Sequence, residues 1–185
     1  MESVSGLGSY LINTEGIRKG LPLLFKALDI HTLVDAPCGD FNWMKEVQLD
    51  IEWYIGVDIW DERIYFNKKN YGNLRNSFYV RDIVNDILDK ADLILCRDCL
   101  VHLPFQEGIG AIENFRQSGS KYLAATSYLD VRENKDCARG DWRKINLEFP
   151  PYNLDNPLVS IVERGLRCRL GMDDYGKMLS VWPLQ

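Results

Sequence analysis

Apolar residues recur along this chain in two alternating rhythms. Short, nearly continuous apolar runs at 33–36, 53–59, 77–80, 91–96 and 121–127 read as buried strands. Between them the spacing becomes helical. Ile17, Leu21, Leu24, Phe25 and Leu28 line one face of a helix over 15–28, and further helices are expected over 41–47, 61–71 and 107–118. Continuous apolar strands alternating with amphipathic helices predict an α/β domain with a parallel sheet covered by helices on both faces. Two last strands, 158–163 and 177–182, joined through Arg164 to Gly176, read as a hairpin with a polar tip.

The first strand delivers the most informative stretch, Asp35-Ala36-Pro37-Cys38-Gly39-Asp40-Phe41-Asn42-Trp43-Met44. An apolar run ending in an acid, a tight turn at Gly39 and resumed amphipathic sequence read as strand, loop and helix. The N–H groups of such a helix would face the crevice, and Gly39 would let a ligand approach the backbone. The dinucleotide fingerprint needs glycines where this chain has Pro37 and Asn42, so a pyrophosphate cofactor such as the nicotinamide dinucleotides is disfavoured. Asp58 ends the second strand nineteen positions beyond Gly39, where a carboxylate accepts both ribose hydroxyls of a nucleoside.

The string D-A-P-C-G-D-F-N-W-M resembles motif I of class I S-adenosylmethionine methyltransferases, with Pro37 in place of the first glycine, and C-R-D-C-L-V-H-L at 96–103 resembles the same branch. The resemblance implies a Rossmann-like, mostly parallel seven-stranded sheet ending in an antiparallel hairpin. It implies S-adenosylmethionine at a crevice lined by Asp35, Gly39, Asp58, Asp82 and Ile83, the last two at the adenine. Pro37, Ile59 and Arg97 adjoin these at the strand ends. Asp82 has an alternative reading as the cap of a turn before Asn85-Asp86. In the N-terminal arm, 1–14, Gly6, Gly8 and Ser9 either cover the cofactor or belong to a flexible terminus.

Residues after the fourth strand would lie beside the reacting methyl. If a helical turn follows, Asp98 and His102 share a face as a carboxylate–imidazole pair, able to take a proton from an acceptor hydroxyl; the alternative is a turn cap and a packing histidine. His31 sits at the far end of the first strand and reads as structural. The aperiodic stretch 128–156 reads as the acceptor-side loop, where Trp142 and Tyr152 would stack on a ring and Asp141 and Arg143 would bond hydroxyls.

Composition narrows the acceptor. A chain of 185 residues, 46% hydrophobic and 26% charged, suits one globular domain, and its net charge of -5 disfavours a general nucleic-acid binder. Five cysteines without regular spacing suggest free thiols and a cytoplasmic setting. No stretch reads as a signal segment or a membrane span. These features, with members of the similar branch associated with glycan assembly, favour O-methylation of a sugar or other small hydroxyl compound. The alternatives are a protein or nucleic-acid acceptor, or a catalytically silent domain. Some sugar methyltransferases orient hydroxyls on magnesium, which makes Asp98, Asp141 and His102 candidate ligands of a divalent cation.

Overall fold

The computed structural model describes residues 2–163 and 176–185. Seven strands form one sheet: β1 (Thr32–Asp35), β2 (Trp53–Asp58), β3 (Asn76–Val80), β4 (Leu93–Cys96), β5 (Tyr122–Tyr128), β6 (Val159–Val162) and β7 (Lys177–Pro183). Their order is β3-β2-β1-β4-β5-β7-β6. The first five run parallel, whereas β7 is antiparallel to both β5 and β6. The expected Rossmann-like sheet and antiparallel C-terminal pair are therefore both present. The tip expected at Arg164 to Gly176 lies outside the described residues except for Gly176.

β4 is buried at every residue, which is why it reads as an unbroken apolar run. Its alternate side chains feed two cores. On one face, helix α3 (Phe105–Gln117) presses Ala111, Ile112 and Phe115 against Ile94, Leu123 and Ala125. On the other, α1 (Leu11–Leu28) and α2 (Asp61–Tyr71) lay Ile17, Leu21 and Ile64 against Leu33, Leu93 and Leu95. The Asp92 carboxylate, just before β4, accepts the N–H groups of His31 and Thr32 and thereby ties it to β1. His31 itself is exposed and pairs with Asp29, remote from the crevice. No helix among the described residues is long and apolar enough to cross a membrane.

The helix expected over 41–47 does not form. Phe41 takes a left-handed backbone (φ 59°), and only a short 3-10 turn, Met44–Glu46, follows. Phe41, Asn42, Trp43 and Met44 are all buried. Four consecutive buried residues cannot share one face of a surface helix, so the chain turns them inward irregularly.

Candidate cofactor and acceptor site

β1 and β4 are adjacent, yet the chain leaves them in opposite directions across the sheet, which opens a crevice at their carboxyl ends. Asp35, Asp58 and Arg97 arrive there from β1, β2 and the end of β4. Three neighbouring cavities occupy this edge. An outer one of about 340 Å³ is lined by Pro37, Asp58, Ile59, Asp82 and Ile83. An inner one of about 180 Å³ is lined by Asp35, Pro37, Gly39, Asp58 and Arg97. The third, about 400 Å³, has Gly8, Arg97, Tyr128, Trp142, Glu163 and Lys177 in its wall. Asp98 and His102 line all three.

From Ala36 to Asn42 the loop after β1 uses each of its amide hydrogens, Ala36 N–H going to the Leu95 carbonyl. Cys38 N–H goes to the Val57 carbonyl and Phe41 N–H to that of Cys38, while Asp58 Oδ2 accepts Gly39 N–H at 3.1 Å. Ser5 Oγ accepts Asp40 N–H at 2.9 Å, and Asp40 Oδ1 accepts Asn42 N–H. Pro37 has none to give. The expectation of free backbone N–H groups is thus corrected: without a helix here, local side chains and carbonyls satisfy the amides. A pyrophosphate finds no cradle, and ligand contact falls to the strand-end carboxylates.

Asp58 also accepts the Trp60 N–H through Oδ1 at 3.0 Å, with Arg63 Nη1 4.0 Å from its Oδ2, so one carboxylate braces two turns, lines both the inner and outer cavities and has acceptor capacity beyond these two hydrogen bonds. Asp82 lines the outer cavity but also closes a turn, accepting Val84 N–H and the Asn85 amide, as the alternative reading anticipated. Asn67 of α2 donates to the Gly39 carbonyl at 2.8 Å and fixes the left-handed Gly39 (φ 55°) from behind.

Asp35 is buried, and its Oδ2 accepts the Tyr54 hydroxyl at 2.7 Å. Burial raises its pKa from the ordinary 3.8 to about 7, against the Tyr54 hydrogen bond and the charge of Arg97, with Asp58 adding to the rise. The folded chain consequently keeps a proton that the unfolded chain loses on going from about pH 4 to about pH 7, so stability falls with rising pH across that window and levels off above it. Asp35→Asn is expected to remove this contribution: between about pH 5 and about pH 7 the thermal midpoint should fall less in the variant than in the wild type. Equal slopes would show that Asp35 ionises normally in the fold.

The N-terminal arm lies across the crevice. Val4 N–H donates to Asp40 Oδ2, and the Asn42 amide donates to Glu2 and to the Ser9 carbonyl. The Gly8 carbonyl accepts Arg97 Nη2 at 2.9 Å. A β-carbon on Gly8 would stand 3.0 Å from an Asp98 carboxylate oxygen, and one on Gly39 would meet Ser5 Oγ at 2.5 Å. Bare backbone at these two places lets arm and loop close together.

Arg97 and Asp98 form a charged network with the C-terminal strands. Arg97 Nε and Nη2 reach Glu163 Oε2 at 3.2 and 2.8 Å, and its Nη1 lies 3.2 Å from Asp98 Oδ2. Lys177 Nζ bonds Asp98 Oδ2 at 2.7 Å and lies 3.1 Å from Glu163 Oε2. Burial opposes ionisation of Asp98, but Arg97 and Lys177 override it and hold the carboxyl well below its usual range. It is a fixed anion rather than a proton acceptor.

The expected Asp98–His102 pair is not made. Asp98 has a left-handed backbone (φ 52°), and a 3-10 turn, Leu100–His102, replaces the helical turn that would stack the two side chains. The Asp141 backbone carbonyl instead accepts from His102 Nδ1 at 3.0 Å. A carbonyl can only accept, so Nδ1 carries the proton, and in the neutral ring Nε2 keeps its lone pair.

Of the four residues expected to meet the acceptor, Trp142 lines the large cavity, edge-to-face with Tyr128 at 6.2 Å. Asp141 contributes its carbonyl to His102. Arg143 and Tyr152 are corrected to internal anchors of the loop. Arg143 donates to the carbonyls of Leu100 and Lys135 and to the Tyr152 hydroxyl, whose ring packs on Phe105 and Gly108. Among the described residues no group of three His, Cys, Asp or Glu side chains could hold a metal ion.

Sequence reasoning missed Asn13, Tyr128, Glu163 and Lys177 in the cavity wall. Tyr128 ends β5 at the crevice edge, so the strand-end rule that found Asp58 could have found it. No local signal marks the others.

Neither a scan of protein-family models nor a search of curated proteins finds a match. Among solved structures the chain is similar to magnesium protoporphyrin IX methyltransferase (ChlM) from Synechocystis PCC 6803 with bound SAM, at 14% identity and a TM-score of 0.61 over 91% of this chain and 80% of that one. It is also similar to TnmH, at 11% identity and a TM-score of 0.70 over 96% and 55%. CalS10, an amino pentose methyltransferase from Micromonospora echinaspora, matches at 13% identity and a TM-score of 0.51 over 59% and 48%. Against the SAH-bound form of the Synechocystis enzyme the match spans 59% of that chain. At these identities the likeness is one of architecture, and the chain has the Rossmann-like fold of class I S-adenosylmethionine methyltransferases.

Proposed function

We propose that this chain is an S-adenosylmethionine-dependent methyltransferase acting on a hydroxyl of a sugar or other small molecule. One observation carries the reading: the outer, inner and large cavities all share Asp98 and His102, where a cofactor's reactive end and an acceptor would meet. The residues fit this cofactor. Asp58 faces both nucleoside-side cavities with lone pairs to spare, and the loop lacks the free amides that a pyrophosphate needs. That similar folds are crystallised with SAM or SAH supports the same assignment.

Asp82 and Ile83 would hold the adenine, Asp58 the ribose, and Asp35 with Gly39 the amino-acid end, beneath the arm residues around Gly8. When bound, S-adenosylmethionine supplies an electrophilic methyl whose S–C bonding pair returns to sulfur. What remains for the chain is alignment and proton removal. His102 Nε2, held by the Asp141 carbonyl through the other ring nitrogen, takes the proton from the acceptor hydroxyl as oxygen gains the methyl.

His102→Ala is expected to lower kcat at least about tenfold, with S-adenosylhomocysteine affinity nearly unchanged, because the ring acts on the acceptor rather than on the cofactor. Calorimetry and a labelled-methyl assay on candidate acceptors read the two quantities. Binding of NAD instead of S-adenosylhomocysteine, or methylation of nucleic acid or protein but no small hydroxyl compound, would overturn the reading.

A further inference from the structure

Glu163 and Lys177 stand in the wall of the 400 Å³ cavity, on the terminal antiparallel pair, and no step above employs them. The Glu163 N–H donates to the Lys177 carbonyl at 3.0 Å, so the pairing of the strands sets the two residues side by side. Glu163 is 3% exposed. Its Oε2 is crowded by Arg97 and Lys177, whereas its Oε1 is buried with no hydrogen-bond partner among the described residues. A buried carboxylate oxygen lacking a donor is costly, and native proteins leave few such atoms without a reason. Here the residue belongs to a cavity wall, where a ligand can supply the missing donor.

The surrounding charges select the kind of donor. Arg97 and Lys177 formally balance Asp98 and Glu163. A phosphate or carboxylate would meet two anions for two cations, and an ammonium would approach a carboxylate already shared by two cations. A neutral hydroxyl needs neither sign. Trp142, 53% exposed and braced edge-to-face by the buried Tyr128, adds aromatic surface for the carbon face of a ring, and the volume suits a small molecule rather than a polymer segment.

We infer that Glu163 recognises the acceptor: its Oε1 accepts a hydrogen bond from a second hydroxyl of a neutral, polyhydroxylated ring whose first hydroxyl faces His102. This rests on the methyltransferase reading above and specifies its substrate class. Glu163 is then a specificity-determining residue.

The test uses the whole chain and begins with S-adenosylhomocysteine calorimetry, so that loss of the cofactor reading is seen separately. Labelled-methyl turnover is then measured on neutral methyl pyranosides, on matched uronates, amino sugars and sugar phosphates, and on monodeoxy forms of the best acceptor. The expected result is preference for a neutral pyranoside and a loss of at least about tenfold in kcat/KM when one hydroxyl other than the methylated one is deleted. In Glu163→Gln that penalty should shrink to about threefold or less, the parent KM should rise about tenfold, and S-adenosylhomocysteine affinity should hold within about twofold. If Glu163→Gln does not fold, the wild-type deoxy series still decides. Indifference to every deletion, preference for an amino or phosphorylated sugar, or no turnover of any pyranoside by a chain that binds S-adenosylhomocysteine overturns the proposal. An undiminished deoxy penalty in folded Glu163→Gln does the same.

Discussion

Asp58→Ala is expected to weaken S-adenosylhomocysteine binding about a hundredfold while leaving a folded chain. The carboxylate accepts Gly39 N–H at 3.1 Å and Trp60 N–H at 3.0 Å, so it ties the loop after β1 to the turn after β2. Its remaining lone pairs are those expected to meet ribose hydroxyls. Hydrogen bonds to a charged group contribute roughly 1.5–3 kcal/mol, and about 1.4 kcal/mol is a tenfold change in affinity. Losing the ligand contacts together with the brace that shapes the inner cavity therefore corresponds to about two decades. Asp58→Asn retains one accepting oxygen and should lose about one decade. Calorimetry on both variants, with thermal melts to verify folding, checks the order; an alanine variant that binds like the wild type would remove Asp58 from the site.

Asp58 and the loop at Gly39 differ in how far the sequence reveals them. The acid follows from strand, spacing and chain direction, all local features, and α2 (Asp61–Tyr71) emerges at its expected bounds for the same reason. The loop's conformation is not local. Ser5, from the far side of the crevice, and Asp58, from the next strand, consume its amides, while four adjacent side chains sink into the core. A helical reading of 41–47 could not weigh those tertiary partners. His102 follows the same pattern. Its position after the fourth strand is legible, but its orienting partner is a backbone carbonyl that no residue pattern encodes.

The acceptor side is where sequence reasoning fails most, because an aperiodic loop gives residue types without directions. Arg143 and Tyr152 are plausible sugar ligands by chemistry and turn out to fasten the loop to Leu100 and α3. Glu163 and Lys177 reach the cavity only through antiparallel pairing at the sheet's far edge, and their sequence neighbours carry no mark of it. Arg97, read only as a cofactor-side residue, proves to be the hub joining the arm, the site and those strands.

Arg97→Met is accordingly expected to destabilise the chain by about 3–5 kcal/mol, the range for removing one partner from a buried ionic cluster. Its side chain is 4% exposed, bonds Glu163 and the Gly8 carbonyl, lies 3.2 Å from Asp98 and covers the Trp43 ring at 5.4 Å. Methionine fills much of the volume, so the loss reports the charge and its hydrogen bonds, the one to the Gly8 carbonyl included, more than the packing. Lys177 would remain as the nearest cation to the buried Glu163 and the partly buried Asp98. The pH dependence identifies the cause. Asp98, held well below its usual range, contributes stability that is present above the unfolded value of about 3.9 and is lost as pH falls through the folded value. Without Arg97 that contribution shrinks, so the deficit against wild type should be largest near neutrality and should narrow below about pH 4. Urea unfolding at about pH 7 and about pH 4 measures this. Arg97→Met combined with Glu163→Gln should cost less than the two single changes added together, because each single change leaves an unmatched buried charge that the double change removes. Additive losses, or a deficit independent of pH, would mean that Arg97 stabilises the fold by packing alone and that the charged network does not hold the arm and the C-terminal strands to the site.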